Sequence, residues 1–306
     1  SYMVPPGGTT AESNRGRGVV AAGENPSKNK SISYIEIQSM GIAKDFGDLT
    51  KDCGETKSVG SSTRGVIALT GDNPVTRETL EYITFATESN STDFGDLNVA
   101  ISQRGGASNQ TRGIWSGGLH PGSTTYTDMD YITIATLGDA ADFGNLSVSR
   151  ADASALASPT RMVVGGGITP GTYRVDVDYV TIATTGNATD FGDLTEGRRA
   201  GTAVASSTRG VFGPGKAPSV SNVIDYITIA STGNATDFGD ALVARGGAGS
   251  ASNSIRGLFT GGYSPSLING IEFITIATLG NGADFGDMTY VSQYAGGCSD
   301  SHGGIS

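Results

Sequence analysis

Short stretches of alternating character recur along the whole chain: YIEIQS (34–39), YITFAT (82–87), YITIAT (131–136), YVTIAT (179–184), YITIAS (226–231) and FITIAT (273–278). In YITIAT, Ile132 and Ile134 fall on one face and Tyr131, Thr133 and Ala135 on the other, the period of two that marks a β-strand. Both faces are apolar or small, which predicts a strand covered on both sides. Upstream of each lies an Arg-led apolar segment (RGVVAAG, RGIWSGG, RMVVGGG, RGLFTGG) that reads as a second strand ending in glycines. Downstream, DFGD or DFGN opens a third after a turn at GNAT or its equivalent, and small-residue stretches such as GGAGSASN (246–253) supply a fourth. No segment carries helical periodicity.

Spacing turns these segments into a repeat. The aromatics Tyr34, Tyr82, Tyr131, Tyr179, Tyr226 and Phe273 each precede an Asp (Asp45, Asp93, Asp142, Asp190, Asp237, Asp284) by 11 residues. From that Asp to the next leading Arg (Arg64, Arg112, Arg161, Arg209, Arg256) is 19 residues every time. Only the step from Arg to aromatic, beginning with Arg17, varies: 17, 18, 19, 18, 17 and 17. Length variation confined to one segment marks a surface loop, because packed strands do not absorb insertions. Four strands per ~48 residues match a propeller blade. The expected fold is therefore all-β: a six-bladed β-propeller with four antiparallel strands per blade. A parallel β-helix is the alternative, but its coils are shorter and do not need the Gly-Asn turns at 186–187 and 233–234.

The expected organisation is one propeller domain over 1–306, with six repeats from about 17 to 302 and extra strand-like segments at 1–16 and 288–306. Residues 7–16 and 288–302 both match the fourth-strand pattern, giving seven candidates for six blades. One is expected to close the ring. The spare one is expected to pack outside or to pair with a second copy, since an unpaired edge invites another strand.

DFGD resembles the magnesium-binding DFG of kinases in letters only, for no HRD-type loop or partnered Lys accompanies it. A structural role is expected. Phe46, Phe94, Phe143, Phe191, Phe238 and Phe285 would anchor the core between blades, and the glycine would permit a sharp turn. The leading Asp residues would accept backbone N–H bonds or pair with the repeated Arg residues. No DxDxDG loop of the integrin type is present, and the two Asp flanking Phe-Gly offer too few oxygens for calcium.

Charge and composition narrow the picture further. Glycine is 47 of 306 residues and charged residues only 16%, which suits short strands joined by tight turns. The net charge of −10 argues against a nucleic-acid surface, and 11 of the 30 acidic residues lie in the DFGD runs and owe their presence to the repeat. No apolar run approaches the ~18 residues of a membrane helix, and SYMVPPGG does not read as a signal peptide. Two histidines, His120 and His302, lie in different repeats, and Cys53 and Cys298 read as small buried residues. No catalytic constellation, metal site or cofactor site is expected. The Asn-x-Thr sequences at Asn187 and Asn234 belong to the repeated turn.

The Arg-to-aromatic loops are what differ from blade to blade: 23–33, 71–81, 118–130, 167–178, 213–225 and 262–272. A constant frame with one divergent loop per blade is the layout of a recognition surface. His120, Tyr126, Tyr173, Arg174, Lys216 and Tyr263 are the residues there suited to stacking on sugars or anchoring a protein.

At the YITIAT…DFGDL repeats, from about Arg17 to Gly303, the chain resembles kelch-like repeat proteins of tailed bacteriophages of marine and cyanobacterial hosts. The Gly pairs at 117–118, 165–166 and 261–262 are similar to kelch glycine doublets, although Trp115 stands alone where kelch blades repeat a Trp. The resemblance implies a non-enzymatic virion structural or tail-fibre component, assembled in the host cytoplasm and exposed on the particle. Its partners would be other virion proteins or a host-surface glycan or protein, with adhesion as the task. A purely structural subunit, a capsid decoration or baseplate component held through termini or blade edges, is the alternative. Copper chemistry of the galactose-oxidase kind is not implied, because no matching Cys, Tyr and His ligands exist.

Overall fold

The computed structural model describes residues 16–71, 78–120 and 124–305, and in these the alternating segments form strands and no helix. The strands assemble into six antiparallel four-stranded sheets arranged as a six-bladed β-propeller. In the fourth blade the order from axis to rim is Ser154–Ala157, Arg161–Gly165, Asp176–Thr181 and Thr189–Asp193. The small-residue strand is innermost in every blade, and each inner strand touches those of both neighbouring blades. Crowding at the axis selects Gly, Ala and Ser there.

Six apolar clusters fill the six gaps between blades, and each is built around one DFG phenylalanine. Phe143 of the third blade packs with Met162, Val180 and Ile182 of the fourth, as the anchor role requires. The covering of the aromatic strand is uneven. Ile132 and Ile134 are buried, Tyr131 is half-buried, and Thr133 and Ala135 are exposed, so at this end only the isoleucine face is covered.

Two expectations about the motif need correction. The leading Asp residues Asp93, Asp142, Asp190, Asp237 and Asp284 are exposed and do not pair with the leading Arg residues. Each of those Arg residues instead lies over the ring of its own blade's aromatic, 4.5 Å for Arg64 on Tyr82 and 4.7 Å for Arg209 on Tyr226. It donates onward to the next blade: Arg64 to the Ile134 carbonyl at 2.8 Å, Arg112 to Ile182 at 2.9 Å, Arg161 to Ile229 at 3.0 Å, Arg256 to Ile37 at 3.2 Å. The tyrosine in turn meets the DFG phenylalanine edge-on, 5.9 Å between Tyr179 and Phe191. The second correction concerns the glycine, which lies within the outer strand and makes no turn. At Gly192 (φ +141°) an added Cβ would come within 2.6 Å of the Gly233 backbone in the next blade. That close approach lets Gly233 N–H donate to Phe191 O at 2.7 Å and Asp193 N–H to Asn234 Oδ1 at 3.1 Å. DFGD and the Gly-Asn turn are thus the two halves of an inter-blade clasp.

Arg209→Ala removes a ring contact and two hydrogen bonds, to Ile276 O at 3.0 Å and Ala277 O at 2.8 Å. A loss of about 2 kcal/mol is expected, read as a lowered thermal midpoint. An unchanged melt would show that the column contributes nothing to blade cohesion.

The C-terminal strand Gly296–Ser299 closes the ring. It takes the innermost place in the first blade, pairing with Arg17–Ala21, followed by Ser27–Glu36 and Lys44–Cys53. The other candidate closing segment, at 1–16, lies outside the described residues apart from Gly16, and so does the spare-strand pairing expected of it.

Candidate functional site

The variable loops leave the second strand at its glycine end, and their described parts emerge on one face. In the third to sixth blades the loop is a small hairpin: Leu119–His120 with Thr124–Thr125, Ile168–Thr169 with Thr172–Tyr173, Lys216–Ala217 with Ser219–Val220, Tyr263–Ser264 with Ser266–Leu267. In the first blade Glu24–Asn25 pairs with the start of Ser27–Glu36. The tip of the second blade's loop, 72–77, and residues 121–123 lie outside the described residues. Each hairpin folds toward the axis. Its base bridges to the residue that precedes the inner strand: Leu119 to Ser102, Ile168 to Ala151, Lys216 to Arg199, Tyr263 to Gly246.

The structure brings some of the six expected residues together. His120 and Tyr126 stack at 5.6 Å between ring centroids. Tyr173 ends its hairpin, and Arg174 beside it is held by Asp176 at 2.7 Å. Lys216 and Tyr263 stand on neighbouring hairpins, Tyr263 being 40% exposed. No ring contact or hydrogen bond joins Tyr173, Lys216 and Tyr263 to one another among the described residues.

At the centre of this face lies a belt. Gln103, Asp152, Ala200, Gly247 and Tyr294 all adopt φ between +49° and +67°. That conformation is costly for residues with a Cβ, and a chain of backbone hydrogen bonds between blades holds it. Asp152 N–H donates to Gln103 O (2.8 Å), Ala200 to Asp152 (3.0 Å), Gly247 to Ala200 (2.7 Å), Tyr294 to Gly247 (2.6 Å), and Thr56 to Tyr294 (3.2 Å).

Charged side chains crowd the belt. Arg199 Nη1 binds Asp152 Oδ2 at 3.2 Å, Gln103 Nε2 donates to Glu55 Oε1 at 3.2 Å, and Gln293 Nε2 donates to Glu24 Oε2 at 3.1 Å. Burial and then the Asp152 carboxylate push Glu55 up to about 7. Burial likewise raises Asp152, lowers the Lys57 ammonium, and pushes Tyr294 up to about 12. Several perturbed groups at the mouth of a channel form a functional-site signature. Below them the axial channel narrows to a cavity of about 40 Å³ lined by Lys57, Ser154, Thr202, Ser250 and inner-strand glycines and alanines.

None of these belt residues was among the expected site residues. A signal did exist: the second blade's inner strand reads ETKSVG where the others read GGAS, SALA, AVA, GSAS and GGCS. Charges in a small-residue frame mark a position released from the repeat.

The opposite end of the channel is closed by the chain itself. After Ser299 the backbone turns across the axis, and His302 Nε2 donates to Gly60 O at 2.9 Å while Nδ1 accepts Gly304 N–H at 3.1 Å. Burial pulls the His302 imidazole down to about 4, so it is neutral there. The chain thus crosses the axis on the face where the leading Arg residues lie, opposite the hairpins. Cys53 and Cys298 are buried in one cluster, and burial pushes the Cys298 thiol up to about 12, far from a reactive thiolate. Among the described residues no group of His, Cys, Asp and Glu is placed to hold a metal ion.

No protein-family model matches the chain, and no curated protein sequence matches it significantly.

Proposed function

We propose that the chain is a non-enzymatic recognition propeller, a virion component whose hairpin face binds a glycan or protein on a host surface. One observation carries the reading. The blade frame keeps its spacing from Asp to Arg and from aromatic to Asp, while the one segment that varies in length has its described parts on a single face around the axis. The virion context rests on the resemblance of the YITIAT…DFGDL repeat to tailed-phage repeat proteins. Tyr126, Tyr173 and Tyr263 offer flat surfaces for stacking, and Arg174 and Lys216 offer donors at the rim.

The test is binding of the purified chain to marine cyanobacterial cells and to a glycan array, beside a Tyr173→Ala, Arg174→Ala variant with an unchanged melt. Binding lost in the variant supports recognition by this face. Binding of equal strength in both proteins removes the role of the fourth hairpin. Absence of binding to any surface turns the reading to the second one, a structural assembly subunit. A specific observation favours that alternative: Met40, Ile42, Leu137, Ile255 and Leu279, all 56–69% exposed, lie at the turns of the opposite face. Exposed large apolar side chains are a feature of docking surfaces.

A further inference from the structure

We propose that the belt at the mouth of the channel is a sugar-binding subsite, in which Lys57, Arg199, Asp152, Glu55 and Tyr294 hold one hydroxyl-rich pyranose unit. The proposal rests on the reading of the hairpin face as a recognition surface and names the ligand chemistry at its centre. Arg199 Nε is shielded from solvent and has no hydrogen-bond partner. The Lys57 side chain is half-buried, and Asp152 and Glu55 are near enough to act on its ammonium electrostatically. The unmet Arg199 donor calls for an acceptor oxygen, because an unmet buried donor is costly, and the Lys57 ammonium nearby adds a second donor.

The same wall offers acceptors. Asp152 uses Oδ2 for Arg199, and Glu55 uses Oε1 for Gln103. The second oxygen of each carboxyl makes no hydrogen bond among the described residues. Sugar hydroxyls both donate and accept, so a vicinal diol matches such interleaved donors and acceptors. An ion does not. Glu24, Glu55 and Asp152 face Lys57 and Arg199, so the charges nearly cancel and leave little field to hold a free anion or cation.

Shape agrees with this chemistry. The Tyr294 ring lies along the wall, 3.2 Å from where a Cβ on Gly247 would stand, and gives an apolar face for the C–H side of a pyranose. The neck of about 40 Å³ admits water-sized groups only, so the sugar stops at the belt. The Lys216 hairpin bridges directly to Arg199, placing a loop residue beside the subsite.

The chain carries its own reporter. Trp115, the one tryptophan, is fully buried and donates Nε1–H to the Lys57 carbonyl at 3.1 Å. Titration of the full chain with galactose, glucose, mannose and N-acetylglucosamine is expected to change Trp115 emission saturably for at least one of them. Lys57→Met and Arg199→Met are each expected to weaken that response by about tenfold, the loss of one charge-assisted hydrogen bond. Saturation-transfer NMR on the same samples replaces the fluorescence readout if Trp115 proves insensitive. No saturable response by either method, or a response unchanged in both variants, overturns the subsite. If array binding is lost in the Tyr173→Ala, Arg174→Ala variant yet survives in Lys57→Met and Arg199→Met, the subsite fails while the recognition face stands. If none of the proteins binds any surface, the recognition reading fails with it.

Discussion

Asp178→Ala is expected to cost about 3–5 kcal/mol, the penalty for leaving a buried cation without its partner. Arg150 is fully buried and donates to Asp178 Oδ2 at 2.7 Å, and also to the Asp176 carbonyl at 2.6 Å. Asp178 further accepts Ser147 N–H at 3.1 Å and Ser147 Oγ–H at 2.6 Å. Ser147 and Arg150 belong to the connector from the third blade into the fourth, so the carboxylate ties that connector to the new blade's third strand. The arrangement recurs with Arg104 and Asp130 at 2.5 Å, Arg198 and Asp225 at 2.7 Å, and Arg245 with Glu272. Thermal unfolding should show a fall in midpoint of roughly 10 °C. Asp190→Ala, at an exposed leading Asp, should stay within about 0.5 kcal/mol of the parent. An apolar double variant, Arg150→Met with Asp178→Leu, should recover most of the loss, since the cost lies in the orphaned charge. Equal effects at Asp178 and Asp190 would remove the buried pair from the list of features holding the ring together.

These buried pairs mark where sequence reasoning stops. Invariant spacing made the blade count, the strand types and the variable face legible, because a repeat that buries its faces only against copies of itself must keep its period. Pairing was not legible. The leading Arg and leading Asp share a constant spacing, but that spacing reports their common repeat and says nothing of whether their side chains meet. The arginines that are paired sit in the drifting segment before each inner strand. Arg104 directly precedes its inner strand Gly105–Ser108, whereas Arg150 lies four residues before Ser154–Ala157, and both still reach the acid before the aromatic. The first and second blades have no such Arg; in the first, Ser33 stands where the acid would and meets Thr289, and in the second Glu81 takes donors from Thr50 and Ser91. The belt escaped for a related reason. Its left-handed conformation is imposed by hydrogen bonds between blades, so Gln103, Ala200 and Tyr294 carry no local sequence preference that would announce it.

The second large effect concerns closure of the ring. A chain ended after Ala295 is expected to lose its cooperative melt and to associate, whereas one ended after Asp300 keeps its fold. The shorter chain lacks Gly296–Ser299, and with it the inner edge of the first blade, the pairing of Val19 with Cys298 and Val20 with Gly297, and the packing of Cys298 beside Ile67 and Phe85. It also lacks Asp300, whose Oδ1 accepts Gly16 N–H at 2.7 Å and Arg17 N–H at 3.1 Å. An open ring exposes both the Arg17–Ala21 edge and the flank of the second blade's inner strand, and unpaired strand edges recruit other chains. Ending after Asp300 removes only the stopper. Gly304 passes so close to Ser108 O and the Asn109 Cα that a side chain there would collide with the third blade, and His302 is held by the single Gly60 carbonyl with Ser108 Oγ at 3.3 Å. Those contacts seal the channel without bearing on any strand pairing. Size-exclusion profiles and thermal melts of the two chains separate the roles. A cooperative, monomeric melt for the chain ended after Ala295 would mean that five complete blades and a three-stranded first blade close without the C-terminal strand, and that the clasp at the rim, not the inner strand, holds the circle.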